Sequence, residues 1–448
     1  MRFGGFKTVD AIERKILDAI DARSGELLEF AEDIFRHPET GFHEVRTSGK
    51  TAEQFRRLGL SVREGLAVTG VEGRLACTLD SPGAHIAVIG ELDGIVCRDH
   101  PYADAATGCA HACGHHAQLT AMLGAAIALS DPAVRSALCG EISFLAVPAE
   151  EYVPDSTRRE VESAYGVKFS GSGKSELIRT GVFDTVDIAM TCHVHMAHSD
   201  AGLLLGNVAA NGFLSKKIIM HGKASHAAIA PWNGINALNA ATSGMNMLGL
   251  LRETFPDDEH IRVHGILLKG GDAVNVVPEE VVLEEMIRAG SLNAIKRVCG
   301  QVNRVFEGAA HAFGAKAEIR NMPGYLPVIA RPADPALIDA AELLKEEVSY
   351  ECATPSMFNG ACTDVGDLSH IMPVVNFTHG GFCGSLHASD FAITDPVRAY
   401  IIPAKMMALT AYRLLKDHAA EGRKIISEFT PVFTAEEYIH FIEEMAGA

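Results

Sequence analysis

Apolar positions near the start of the chain recur at helical spacing, at Ile12, Ile16, Leu17 and Ile20 and again at Leu27, Leu28, Phe30, Ala31, Ile34 and Phe35. That period predicts helix, and "RHPETGFHE" ends it with Pro38 and Gly41. Two β-rich runs follow, "VEGRLACTLD" and "HIAVIGELDG", the second apolar for long enough to be a strand buried on both faces. "LTAMLGAAIALS" predicts a buried helix, and "GEISFLAVPAEE" and "VDIAMTCHVH" predict two more buried strands. These strands run out at Asp93, at Glu150 with Glu151, and at His193 with His195. Open α/β sheets collect ligands at the carboxyl ends of their strands, so these side chains are expected to share one crevice.

From about residue 207 the pattern changes. "GFLSKKIIMHG" predicts a strand, "NGINALNAATSGMNMLGLLRE" a helix, "IRVHGILLKGG" and "EVVLEEMIRAG" strands, "LNAIKRVCGQVNRVFEGAAHAFG" a helix and "AKAEIRNM" a strand. The order βαββαβ is that of a ferredoxin-like unit. Residues 207–322 are therefore expected to form a second domain inserted into a first, discontinuous α/β domain of residues 1–206 and 323–448. The first pattern resumes with the helix "ADPALIDAAELLKEEVS", the strand "MPVVNFT" and the long helix "VRAYIIPAKMMALTAYRLLKD".

Charge narrows the partners. With 39 Lys and Arg against 57 Asp and Glu the formal charge is −18, and no basic cluster is present to neutralise a phosphate backbone, so no nucleic-acid partner is expected. No apolar run approaches the roughly 20 residues that span a bilayer, and the N-terminal stretch lacks the continuous apolar segment of a signal peptide. Ten cysteines at irregular spacing do not make a disulfide framework. The expectation is a cytoplasmic protein with no membrane partner, in which a special cysteine is a ligand or a reactive thiol.

The candidate chemistry begins at "HACGHH". Cys113 and His115 flank Gly114, which lets the backbone turn tightly enough for both side chains to face one ion. In "PAEE", adjacent carboxylates at a strand mouth repel unless a cation lies beside them, and a metal supplies that charge. One of the pair can then ligate while the other moves a proton. His193 and His195 in "TCHVH" point the same way on a strand; both can face a metal, or one is a hydrogen-bonded packing residue. His387 follows a glycine-rich loop in "GGFCGSLHASDF", as a ligand delivered from far along the chain would.

Taken together, "HPETGFHE", "ELDG", "HACGHH", "PAEE", "GKASHAAIAPWNGINAL", "NVVPEE", "CTDVGDLSH" and "GSLH" resemble the metal-dependent amidohydrolases that include aminoacylases, carboxypeptidase G and auxin-conjugate hydrolases. The likeness is strongest to the p-aminobenzoyl-glutamate hydrolase subgroup and runs from about residue 37 to about residue 415. It implies a mixed-sheet α/β metallopeptidase-type catalytic domain, a ferredoxin-like lid used for homodimerisation, and one or two manganese or zinc ions in each protomer. By the same likeness Cys113, His115, Glu151, His193 and His387 are metal ligands and Glu150 is the general base. Asp93 would orient a ligand histidine. His226 would polarise the scissile carbonyl across the dimer, and Asn275 and Arg288 would hold a substrate carboxylate, a task that suits the planar guanidinium fork. An ordinary surface ion pair is the other reading of Arg288.

Three features depart from the resembled pattern. Position 116 is His where Asp or Asn is usual, "IVCRDHPYADAATGCA" replaces a short continuation after Gly94 with two extra cysteines, and "VPDSTRREVESAYGVKFSGSGKS" is extended. The expected reaction is hydrolysis of a C–N bond in an N-acyl or N-aroyl amino acid or another small carboxylate-bearing molecule. Hydrolytic deamination of an aromatic amino acid-like compound is the enzymatic alternative. A non-catalytic metal-binding scaffold and a hydrolase using Cys113 as nucleophile belong to other classes; the spare carboxylate beside Glu151 speaks against the scaffold, because a structural metal site is closed.

Overall fold

The computed structural model describes residues 9–77, 83–196 and 202–447; the end of the "VEGRLACTLD" run lies outside them. The chain divides into two units, the first made of residues 1–208, 329–357 and 368–435 and the second of residues 209–328, 358–367 and 436–448. The strands of the two main sheets are, in chain order, β1 (Ser61–Leu66), β2 (Gly70–Ala76), β3 (Ala84–Glu91), β4 (Gly140–Val147), β5 (Ile188–Val194) and β6 (Leu203–Leu205). They continue with β7 (Gly212–His221), β8 (Arg262–Lys269), β9 (Glu280–Ala289), β10 (Lys316–Pro323), β11 (Tyr350–Cys352) and β12 (Val374–His379).

In the first unit eight strands form one mixed sheet in the order β1-β2-β4-β3-β5-β12-β6-β11. The central four, β4-β3-β5-β12, run parallel, and antiparallel partners flank them. Every residue of β3 is buried, which is why its apolar run is continuous rather than alternating. Helices α1 (Ala11–Ala22), α2 (Ser24–Phe35) and α3 (Val45–Arg57) precede or flank the first strands. The first is fixed by a reciprocal cap, in which the Asp10 side chain accepts from Glu13 N and the Glu13 side chain accepts from Asp10 N, worth about 1 kcal/mol.

Helix α4 (His115–Leu129) is buried along its whole length. Its small residues permit close packing: a Cβ on Gly124 would sit 2.5 Å from that of Ala404. A helix apolar all round belongs in a core, and this one starts at the first histidine after Gly114, so its buried packing sets where that histidine stands.

The second unit is built β7–helix–β8–β9–helix–β10 with sheet order β8-β9-β7-β10, all neighbours antiparallel. Its helices Ala237–Leu251 and Leu292–Phe313 supply an apolar core with Ile218, Leu283, Val298 and Phe306. Along β9, Val281, Leu283, Glu285 and Ile287 are buried in alternation, so a carboxylate occupies a core position. Gly265, paired with Glu285 across the strands, leaves the room: a Cβ there would lie 2.4 Å from the Glu285 carboxylate.

The final helix, Ala435–Gly447, differs from the division expected from sequence, which places 323–448 entirely with the first unit. Phe441, Ile442 and Met445 meet Phe213, Leu292 and Ile295, Asn321 donates to the Met445 carbonyl at 2.8 Å, and the Lys296 ammonium lies 4.4 Å from the centre of the Phe441 ring. An amphipathic terminal helix docks on the nearest open apolar surface, whichever segment precedes it.

Candidate metal centre

The polar residues at the strand ends are held by braces that run through the backbone. After β3, Gly94 N donates to the Glu39 carbonyl at 2.8 Å, while the Glu39 carboxylate accepts from the backbone N–H groups of Arg46 and Thr47. The "HPETGFHE" loop thus clamps the turn that carries Asp93. Gly114 has φ 87°, and a Cβ there would come within 2.5 Å of the Val194 side chain, so only glycine lets the chain pass from Cys113 into α4. Ala149 adopts φ 49° and its N–H is taken by buried Glu44 at 2.8 Å, which turns "PAEE" sharply at the end of β4. Burial and the neighbouring Asp93 push the Glu44 carboxyl up to about 8.

Three groups of potential ligands result, with the donor atoms of each lying within 4.8 Å of one another: Cys113, His115 and His193; Cys113, Glu151 and His387; and Glu91, His115 and Glu150. The Cys113 Sγ is 3.7 Å from His193 Nε2 and 3.2 Å from His387 Nε2. His387 Nε2 is 3.3 Å from Glu151 Oε1. His115 Nε2 stands 3.3 Å from Glu91 Oε2 and 3.6 Å from Glu150 Oε2. Its other nitrogen, Nδ1, is 2.9 Å from the Asp93 carbonyl oxygen and 3.2 Å from Asp93 Oδ1. A carbonyl oxygen only accepts, so Nδ1 carries a proton and Nε2 is the nitrogen turned toward the cluster.

Electrostatics follow from burial and neighbours. Burial pushes the Cys113 thiol well above its ordinary value, and the charge of Glu151 adds to this. A nucleophilic cysteine needs the opposite, a thiolate stabilised by its surroundings, which weighs against the cysteine-nucleophile alternative. Burial is the largest influence on His115 and opposes charge there, but Glu91, Cys113 and Asp93 together raise the imidazole well above its usual range, so the ring draws positive charge to Nε2, a proton or a metal ion in its place. Burial likewise opposes ionisation of Glu151, but its hydrogen bond with His387 and the charge of His115 hold it low.

These residues fit a divalent metal. His115 Nε2 and Glu91 Oε2 are buried side-chain atoms without a hydrogen-bond partner, a condition native structures seldom leave unanswered. One thiol, three imidazoles and the carboxylates converge where a cation would satisfy all of them.

The other candidates fall elsewhere. His195 stays outside the three groups. His116 points away from them: it is buried, its Nε2 lies 3.2 Å from the Tyr400 hydroxyl, and its ring packs 4.8 Å from Phe35 and 5.4 Å from His111. Burial holds both His111 and His116 in the neutral form. The long segment after Gly94 lines a cavity of about 630 Å³ with Phe35, His100, Tyr102, Phe391 and Tyr400. Its extra cysteines, Cys97 and Cys109, are free thiols, and Cys97 Sγ approaches the His387 carbonyl at 3.8 Å.

His226, Asn275 and Arg288 belong to the second unit. The first two are neighbours, since His226 bridges Val276 and Ala227 N donates to the Asn275 carbonyl at 3.0 Å. Arg288 donates to Cys362 Sγ at 3.4 Å and has no carboxylate partner among the described residues, so the surface ion pair is not what this arginine makes.

Sequence reasoning did not single out Glu91, Lys174 or Gln118. Gln118 receives the Glu91 N–H at 2.7 Å and donates to Thr191 Oγ1 at 2.9 Å and the Cys192 carbonyl at 2.6 Å. It ties the end of β3 to the end of β5 across α4. Its position one turn beyond His115 on the same helix was the available signal.

A parallel-centred α/β sheet with a thiol, imidazole and carboxylate cluster at its strand ends defines a metal-dependent hydrolase. The chain belongs to the peptidase family M20/M25/M40, whose model matches residues 84–423, and is accordingly an enzyme acting on amide or peptide bonds. It is 29% identical over 359 residues to the human Xaa-Arg dipeptidase, covering 76% of this chain and 74% of that protein. It is 30% identical over 318 residues to one of the polypeptides of the p-aminobenzoyl-glutamate hydrolase of Escherichia coli, covering 67% of this chain and 58% of that one. It is 28% identical over 333 residues to the N-acetyl-L-cysteine deacetylase of Bacillus subtilis, covering 72% and 74%. The fold is similar to that of a dinuclear metal-binding M20 peptidase from B. subtilis, with TM-score 0.63 and 20% identity over 88% of this chain and 99% of that one. It is also similar to an aminobenzoyl-glutamate utilization protein from Klebsiella pneumoniae, with TM-score 0.62 and 20% identity over 88% and 97%.

Proposed function

We propose that the protein hydrolyses the amide bond of an N-acyl or N-aroyl amino acid or a similar small carboxylate-bearing molecule, with Glu150 as general base. The observation that carries this reading is that the two adjacent carboxylates face different groups. Glu151 faces Cys113 and His387, whereas Glu150 faces His115, so one can ligate while the other handles a proton. Cys113 belongs to two of the ligand groups, so this set would hold one or two divalent ions. The mixed donor set suits zinc or manganese.

Bound metal would polarise the scissile carbonyl and activate the attacking water. The work of this chain's own residues follows from their positions. Glu150 accepts a proton from the water and returns it to the departing amine nitrogen. Asp93 fixes the His115 tautomer through Nδ1. In the second unit, which we assign as a ferredoxin-like lid, His226 Nδ1 accepts from the N–H groups of Ala228 and Ile229 at 3.2 Å each. The ring proton then sits on Nε2 of an exposed side chain, ready to donate to a carbonyl oxygen. Arg288, without an acidic partner among the described residues, and Asn275 would receive the substrate carboxylate.

The lid also supports a homodimer, through the edge strand β8. The ten cysteines are free and no helix of the described residues is long and apolar enough to cross a membrane; free thiols are compatible with a cytoplasmic location. The test is a panel of N-acyl, N-aroyl and dipeptide amides, followed by amine release with metal-loaded and chelator-treated protein. Activity restored by zinc or manganese supports the reading; activity that survives chelation and dies on thiol alkylation overturns it.

A further inference from the structure

Glu91 and Lys174 form a buried ion pair, with Nζ 2.5 Å from Glu91 Oε1 and side chains 1% and 0% exposed. Lys174 arrives from the short helix Gly173–Arg179. That helix can lie this close because Gly173 has no side chain: a Cβ there would fall 1.8 Å from the Pro148 carbonyl oxygen. The ammonium occupies one carboxylate oxygen. The other, Oε2, has no hydrogen-bond donor and faces His115 Nε2 at 3.3 Å, itself buried and without a partner.

With Nδ1 committed to Asp93, His115 Nε2 and Glu91 Oε2 face one another across that gap and neither makes a hydrogen bond there. A carboxylate and an imidazole nitrogen so placed in a buried site call for a positive charge between them, and a coordinated cation supplies it. Glu150 lies on the same side, in the group Glu91, His115 and Glu150. The Gln118 side chain fixes the Glu91 backbone, so the carboxylate is aimed and not merely nearby.

We propose that Glu91 is a metal ligand, aimed by Lys174 and acting beside His115, in addition to the ligands Cys113, Glu151, His193 and His387. Lys174 is then a positioning residue: it neutralises a carboxylate that burial would otherwise penalise and leaves one oxygen free to coordinate. The proposal rests on the metal-centre reading above.

The deciding experiment uses the unaltered protein, loaded with manganese and crystallised, with anomalous diffraction locating the ions. The expected result is an ion within about 2.0–2.2 Å of a Glu91 oxygen. Ions on Cys113, His193 and His387 with Glu91 more than about 3 Å away would overturn this proposal and leave the hydrolase reading intact; no ion at any of these residues would overturn both. In solution, Glu91→Gln should bind manganese at least tenfold more weakly or hold fewer ions per chain, measured by calorimetric titration and elemental analysis. Lys174→Met should weaken binding in the same direction while Lys174→Arg recovers part of it, a rescue that a purely structural role in a site this crowded would not give. Unchanged affinity and stoichiometry in Glu91→Gln overturn the proposal, and if that variant does not fold, the diffraction result decides.

Discussion

His115 Nδ1 is 2.9 Å from the carbonyl oxygen and 3.2 Å from the side-chain oxygen of the same residue, Asp93. One acidic residue therefore sets both the tautomer and the direction of the ring. Its remaining oxygen, Oδ2, accepts the Glu151 N–H at 2.9 Å, which couples two ligand-bearing loops. Asp93→Ala should keep the backbone contact but lose the others, and metal affinity should fall about 10–100-fold. Calorimetric titration of the metal-free variant checks this; wild-type affinity would show that the backbone carbonyl alone suffices.

In the proposed reaction the neighbours Glu150 and Glu151 have different tasks. Glu150→Gln should hold its metal and lose about 10²–10⁴-fold in kcat, whereas Glu151→Gln should lose metal first, because its carboxylate faces Cys113 and His387. Elemental analysis beside turnover separates the two. Loss of metal from the Glu150 variant would exchange the assigned roles.

The legible part of this molecule was local. Gly114 between Cys113 and His115 can be seen in the chain, and a glycine at that place has one structural use, the turn into α4. The continuous apolar run before Asp93 shows a buried strand with chemistry at its end. Contacts that join distant segments leave no such trace: Glu91 and Lys174 are 83 positions apart, and although Glu91 opens the "ELDG" motif, nothing in that motif points to Lys174. His116 adjoins a ligand candidate yet faces Tyr400 and Phe35, a distinction set by helix rotation. The final helix joins the second unit because Phe441 and Met445 find their apolar partners there.

Glu285 gives the second unit a pH dependence. Burial raises its carboxyl from an ordinary value of 4.5 to about 7, partly offset by Arg252. The folded state then binds the proton more tightly than the unfolded state, so stability falls as pH rises from about 4.5 to about 7 and stays reduced above it. At about 1.4 kcal/mol per pKa unit the loss is on the order of 3 kcal/mol. Glu285→Gln should remove most of this slope and melt higher than the wild type at pH 8, with little difference at pH 4.5. Parallel thermal melts of the two proteins across that range would contradict the assignment.

Strand β8 ends the sheet of the second unit and exposes Ile266 at 58% and, at the bulge before Lys269, Leu268 at 51%. Proteins usually protect such an edge with charge, proline or a bulge, because unpaired N–H and C=O groups recruit another strand. Here the bulge comes only at Leu268, near the end of the strand, and Ile266 and Leu268 stay exposed; the homodimer proposed above takes this edge as its contact. If the proposed homodimer forms through β8, Leu268→Lys should place a charge at that contact and yield monomers where the wild type is dimeric, read by light scattering during gel filtration, with the circular dichroism spectrum unchanged. If His226 acts across the dimer, turnover should fall with dimer content and recover as protein concentration is raised. A monomeric wild type with full activity would remove β8 from the reaction and return His226 to its own protomer.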